Sequence, residues 1–174
     1  MCIRDSHYLI RNVTFIKNCA GLGGGVYYYS DRQDSIEDVS SNSMLFDNCT
    51  FKGNKARMGS AVDMTPNTFL KKTTGHTIVP TFKNCFFLEN LVHFDRFKIQ
   101  ETASIGVIYA SLYDIHFQGY NRFENNEGSA IYILLANGIV NFTNSNASFI
   151  NNTGLEGGAV ALIGVSTMIV GPTL

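Results

Sequence analysis

The chain has 174 residues, of which 45% are hydrophobic and only 16% charged, with a formal net charge of −1. That balance excludes a disordered polyelectrolyte, which lacks apolar residues to bury. It also excludes an electrostatic nucleic-acid binder, which needs a basic face. With Phe 13, Tyr 8, Gly 16 and 17 Asn against Pro 3 and Trp 0, the composition points to strands and tight turns rather than helices.

In chain order, MCIRDS (1–6) matches the frame translation of a transposon-based sequencing adaptor. Residues 1–6 are therefore set aside. Residues 7–174 are read as a fragment truncated at both ends. A repeat then begins. Phe-x-x-Asn occurs at Phe15–Asn18, Phe51–Asn54, Phe87–Asn90, Phe123–Asn126 and Phe149–Asn152. Random placement of these residues gives about one such pair, so the five copies mark an internal repeat. The first four copies start 36 residues apart, and the last follows after 26. A further Asn stands three residues before the Phe at Asn12, Asn48, Asn84 and Asn146.

A glycine landmark follows each copy: GGGV (23–26), GSAV (59–62), SIGV (104–107), GSAI (128–131) and GGAV (157–160). An apolar run precedes the later copies, ending at Phe46, Phe82, Phe117 and Phe142, and STMIV (166–170) starts another. Each unit thus reads as three short strands joined by turns. Stacked units would put like on like at the roughly 4.8 Å spacing of paired strands. Phe15, Phe51, Phe87, Phe123 and Phe149 then form one internal column, and Phe46, Phe82, Phe117 and Phe142 a second. Loops at 31–42, 65–77 and 91–103 absorb the long spacing, and any helix is expected in the last of them. The fold expected is all-β, a right-handed parallel β-helix solenoid of about five coils with three strands per coil, each unit buried by its neighbours. The uncharged stretch 157–170 is too short to span a bilayer.

The paired landmarks resemble the GGA[ILV] and FxxN repeats of chlamydial polymorphic outer membrane proteins, within the pectin-lyase-like β-helix group. The resemblance covers about residues 7–170, with SIGV as a departure and no membrane barrel in the chain. It implies a surface-exposed or secreted, adhesin-like segment.

The chemistry-bearing residues are read as follows. Asn18, Asn54, Asn90, Asn126 and Asn152 follow strands, where Asn tolerates a left-handed turn and stacked amides can bond one another. Asn12, Asn48, Asn141, Asn146 and Asn151 head Asn-x-Ser/Thr sequons, with Asn48 in a tight turn; the other four are the glycosylation candidates. Cys49 and Cys85 share a repeat position, with Val13 and Ala147 as equivalents, and face inward either as small apolar groups or as a disulfide between coils. No C-x-x-C exists and His7, His76, His93 and His116 are dispersed, so no metal site is expected. GLGGG (21–25) lacks the Lys-Ser/Thr of a phosphate loop. The loop with Asp31, Asp34, Glu37 and Asp38 matches no defined calcium site. No cofactor follows.

Catalysis in such a fold would need carboxylates converging on one strand face. Asp63, Asp114 and Glu124 are scattered over different strands and units, so no catalytic residue is assigned. Tyr27 and Tyr29, with Asp63 one unit further on, are the candidate contact surface on an exposed ladder. The alternative is that alternation buries Tyr28 and leaves Tyr27 and Tyr29 as ordinary strand residues. The function expected is structural display or adhesion at the cell surface or outside it, through a glycan or protein ligand and alongside further coils of the same parent chain. The alternative is the non-catalytic portion of a polysaccharide lyase or glycoside hydrolase.

Overall fold

A computed structural model describes residues 7–30, 43–66, 79–92, 106–111, 114–134, 138–154, 157–163 and 166–170. Sixteen strands and no helix occur among the described residues. The first repeat contributes β1 (His7–Arg11), β2 (Thr14–Ile16) and β3 (Val26–Ser30). The second contributes β4 (Ser43–Asp47), β5 (Thr50–Lys52), β6 (Lys55–Ala56) and β7 (Val62–Pro66). The third contributes β8 (Val79–Lys83), β9 (Phe86–Leu88), β10 (Leu91–Val92) and β11 (Gly106–Ser111). The fourth holds β12 (Ile115–Glu124) and β13 (Ser129–Leu134), the fifth β14 (Gly138–Ile150) and β15 (Val160–Ile163), and β16 (Ser166–Val170) follows.

Every strand pairing is parallel, and each joins one repeat to the next. The strands form a nine-stranded, a five-stranded and a two-stranded sheet. In the nine-stranded sheet, β1, β4 and β8 pair in sequence beside β2, β5 and β9, and both rows join at β12 and continue into β14. The described strands therefore number three in the first repeat and four in the second and third, not a uniform three per unit. In the fourth and fifth, the first two strands run together.

The register places like on like. Phe15 pairs with Phe51, Phe51 with Phe87, Phe87 with Phe123 and Phe123 with Phe149. In the five-stranded sheet, β3, β7, β11, β13 and β15 align Val26, Val62, Ile108, Ile131 and Val160. The third glycine landmark is thus one residue later than SIGV suggests: Ile108, not Val107, takes the branched position, and Val107 takes that of Ala61 and Ala130. Gly23 and Gly59 share a turn at φ 58° and 56°, where a Cβ would collide with the carbonyl three residues on. Only glycine adopts that turn without strain.

Two aromatic columns fill the core. Rings of the first stack at 4.7, 5.0, 4.6 and 4.9 Å from Phe15 to Phe149, within 7° of parallel. The second runs through Phe46, Phe82, Phe117 and Phe142 at 4.9, 5.6 and 4.6 Å. Strand spacing dictates these distances, since each ring rides on one paired residue. Within a repeat the columns meet edge to face, at 5.8 Å for Phe46–Phe51 and 5.5 Å for Phe82–Phe87, the arrangement favoured by the ring quadrupoles.

Beside the first column runs a ladder of amides. Nδ2 of Asn18, Asn54, Asn90 and Asn126 each donates to Oδ1 of the next Asn, at 2.9, 3.1, 3.1 and 2.7 Å. The backbone N–H of the same four residues donates to that same oxygen. The other amide proton of Asn54, Asn90, Asn126 and Asn152 goes back to the carbonyl of Phe15, Phe51, Phe87 or Phe123. Asn54 and Asn90 are fully buried, yet both amide protons and both oxygen lone pairs are used. The left-handed turn, however, does not fall on these residues. It belongs to the residue before each: Lys17, Gly53, Glu89, Asn125 and Asn151, at φ 51–63°. Asn12, Asn48 and Asn84 adopt it as well, at φ 54–56°.

Two substitutions measure these contributions. Burial of Phe87 contributes on the order of 2 kcal/mol, and Phe87→Ala leaves a cavity between two stacked rings. We expect it to cost about 3–5 kcal/mol in urea unfolding of the full chain. A loss under about 1 kcal/mol would contradict the stacked core. Asn90→Ala removes the acceptor for both donors of Asn54 and leaves them buried. We expect a loss of at least about 3 kcal/mol. A loss matching that of an exposed Asn outside the left-handed turns, such as Asn144→Ala, would mean the ladder contributes little.

Candidate functional site

Alternation along β3 and β7 decides which side chains can meet a ligand. Val62 and Met64 point into the core, and half-buried Tyr28 packs against it. The intervening residues therefore share the opposite face, where Tyr27 pairs with Asp63, Asp63 with Tyr109 and Tyr109 with Tyr132. Tyr27 is 45% exposed. Asp63 is not. It is fully buried, and Tyr109 and Tyr132 are largely so, with their rings 6.0 Å apart beside Ala161. The expectation that Asp63 lies on an exposed ladder is therefore corrected: this face has a covered aromatic cluster of its own, flanked by Met58, Leu134 and Ile163. The side chain of Tyr29 lies outside the described residues.

A second concave feature crosses the repeats. An open groove of about 670 Å³ runs over the turns between Phe-x-x-Asn and the glycine landmark. Lys17, Cys19 and Lys55 line one end and Glu89, Asn125 and Glu127 the other, with Gly53 and Asn90 between. Each of the first four repeats contributes two or three lining residues, because Cys19, Lys55, Leu91 and Glu127 bridge in turn. The groove is thus cationic towards the early repeats and anionic towards the later ones. Reading the sequence strand by strand missed it, although the spacing of 36 residues between Lys17, Gly53, Glu89 and Asn125 was visible.

The carboxylates weighed for catalysis have other uses. Asp114 accepts a hydrogen bond from the backbone N–H of Ile139 at 2.8 Å, which ties the start of β14 to the preceding repeat. Glu124 pairs with Arg122 at 2.8 Å, which raises the guanidinium pKa. Among the described residues, no group of three or more His, Cys, Asp or Glu is placed to hold a metal. No described helix is long and apolar enough to cross a membrane. The loop with Asp31, Asp34, Glu37 and Asp38, together with His76, His93 and the 93–103 part of the insertion, lies outside the described residues.

Asn12, Asn48, Asn146 and Asn151 are exposed, and Asn141 is half-buried. Asn48 donates to Oδ1 of Asn12 at 2.8 Å. Asn141 Oδ1 accepts from both the N–H and the hydroxyl of Thr143, at 2.8 and 2.6 Å.

The repeat-position cysteines are free thiols. Cys49 donates to the carbonyl of Ile10 at 3.3 Å and Cys85 to that of Phe46 at 3.4 Å, one repeat back in each case. Burial pushes the Cys85 thiol up from 9.0 to about 12. Cys19 is exposed. Iodoacetamide at mildly alkaline pH should therefore label Cys19 and spare Cys49 and Cys85 until the chain unfolds, as read by peptide mass mapping. A raised thiol pKa also means that the unfolded thiol ionises first. Stability should be full below pH 9 and fall towards pH 12, and Cys85→Ala should lessen that fall. Rapid labelling of Cys85 in the native state would refute the inward placement. Comparison with known proteins returned no relative: no family model, no curated protein and no solved structure matches the chain.

Proposed function

We propose that this chain is a segment of a right-handed parallel β-helix that displays binding surfaces on a cell-surface or extracellular protein. The observation that carries the reading is where the recurring residues go. Phe, Asn and the branched residues of each repeat are consumed by stacking and by the amide ladder, which makes a stiff rod and leaves recognition to what faces outward. The right-handed winding follows from the strong preference of parallel crossover connections. Its likeness to the repeats of polymorphic outer membrane proteins supports adhesion at a surface as the role.

Contacts in this reading come from the open groove and the exposed ring of Tyr27. An aromatic face suits a sugar ring, and a groove with opposite charges at its ends suits a glycan or an extended peptide. The full chain would be screened on a glycan array and incubated with pectin, alginate and related polymers. We expect binding without cleavage, weakened by Tyr27→Ala or by Lys17→Ala with Lys55→Ala. Release of unsaturated or reducing ends, lost on replacing Asp63 or Asp114, would instead assign the chain to a carbohydrate-active β-helix enzyme.

A further inference from the structure

The groove over the turns carries an ordered set of charges, built by two columns of side chains. Lys17, Gly53 and Glu89 hold one turn position in successive repeats, since each donates its N–H to the carbonyl that closes the strand one repeat on. Lys55, Leu91 and Glu127 hold a second, paired in turn. Lys17 and Glu89 are therefore two repeats apart along the stack, and so are Lys55 and Glu127, a separation of about 10 Å at the spacing of paired strands. All four charged residues are exposed. Among the described residues, Lys17, Lys55 and Glu127 enter no ion pair, and Glu89 meets Lys52 at 3.5 Å in a contact open to solvent. The floor between the charges is apolar or bare. Lys17 leans over Gly53, with its Cγ 3.4 Å from the place a Cβ would take there, and Leu91 offers a half-buried side chain.

We propose, on the reading of the chain as a display scaffold, that this groove binds a polypeptide segment in the polyproline II conformation. An acidic residue of that segment sits over Lys17 and Lys55, and a basic residue three positions away sits over Glu89 and Glu127. The pattern of signs selects the class of ligand. An acidic polysaccharide repeats one charge and would set carboxylates against Glu89 and Glu127, and a neutral glycan would leave all four charges unanswered. A polypeptide carries both signs on one chain. The spacing selects its conformation. In polyproline II every third side chain returns to the same face after about 9 Å, which matches the two repeats between opposite charges. A β-strand alternates faces, so its same-face side chains fall at about 7 or 13 Å and fit the spacing less closely. The residues between the charges pass over Gly53 and Leu91, where proline packs well and limits the freedom lost on binding. The charges supply steering and selectivity more than affinity. The groove lies on the flank of the stack, so further coils at either end leave it in place.

The probe is fluorescein-labelled, amidated Gly-Glu-Pro-Pro-Lys-Gly, with the reverse order Gly-Lys-Pro-Pro-Glu-Gly beside it, because charge fixes spacing and not chain direction. Each is titrated against the full chain at low salt and followed by anisotropy. We expect one or both to bind saturably, at least about fivefold more tightly than peptides with one or three prolines between the charges, or with two Glu or two Lys. Added salt should shrink that contrast. Lys17→Ala with Lys55→Ala should weaken binding similarly. Lys17→Glu with Lys55→Glu should shift the preference to the peptide with two Lys, and these exposed replacements leave the core untouched. Equal binding of all peptides, indifference to the substitutions, or no binding at millimolar peptide would overturn the proposal. A glycan ligand lost on Lys17→Ala with Lys55→Ala would in that case leave the display reading standing, whereas cleavage of a polymer would remove the display reading itself. Self-association of the chain that excludes the peptide in sedimentation would overturn the proposal in favour of a second copy.

Discussion

A buried primary amide tolerates few surroundings, because two protons and two lone pairs must all be matched where water does not reach. In this chain the match comes from the same residue one repeat away: Asn90 gives to Asn126 what it receives from Asn54. That reciprocity holds only if adjacent strands keep an in-register, parallel alignment. A slip of one residue would turn every amide and every ring of the Phe15 column to the other face. The ladder and the aromatic stack therefore impose one register on the nine-stranded sheet, and the five-stranded sheet follows with its own column of Val and Ile.

Departures from the repeat are tolerated where they leave these columns intact. Between Phe82 and Phe87 lie four residues, but between Phe117 and Phe123 lie five, and between Phe142 and Phe149 six. The additions fall at Gly119–Tyr120 and near Phe142, where Gly119 takes a left-handed conformation and the pairing shifts. Pairing then resumes so that Phe123 meets Phe149. The inserted Tyr120 projects outward at 43% exposure and lies edge-on to Phe86. Insertions thus alter the surface while the interior is held constant, which is the property a display scaffold needs.

Outward-facing chemistry is graded along the molecule. The groove changes sign from Lys17 and Lys55 to Glu89 and Glu127, and ion pairs such as Arg11–Asp47 and Lys52–Glu89 bridge repeats on the surface. Such exposed pairs add little stability. Their placement in register nonetheless keeps like charges apart along the stack. Among the described residues, the Phe15 ring stacks on Phe51 and the Phe149 ring on Phe123, with Phe142 edge-on to Phe149.

How far the sequence reached can be judged residue by residue. Its period of 36, the Phe columns and the Asn stack were legible because parallel pairing in register converts a sequence interval directly into a spatial neighbour. The left-handed position was misjudged by one residue, since Lys17 and Glu89 carry no composition signal for that conformation and only the folded backbone shows that Asn18 and Asn90 come after it. The third glycine landmark slipped for a similar reason: Val107 and Ile108 are both apolar, and only the pairing with Val62 selects Ile108. The burial of Asp63 was beyond the sequence altogether. Alternation correctly puts it on the face away from the core, but whether that face meets water depends on what packs over it. In this protein that face carries a second cluster around Tyr109 and Tyr132. Local periodicity fixes the direction of a side chain, and only the assembled structure decides what it finds there.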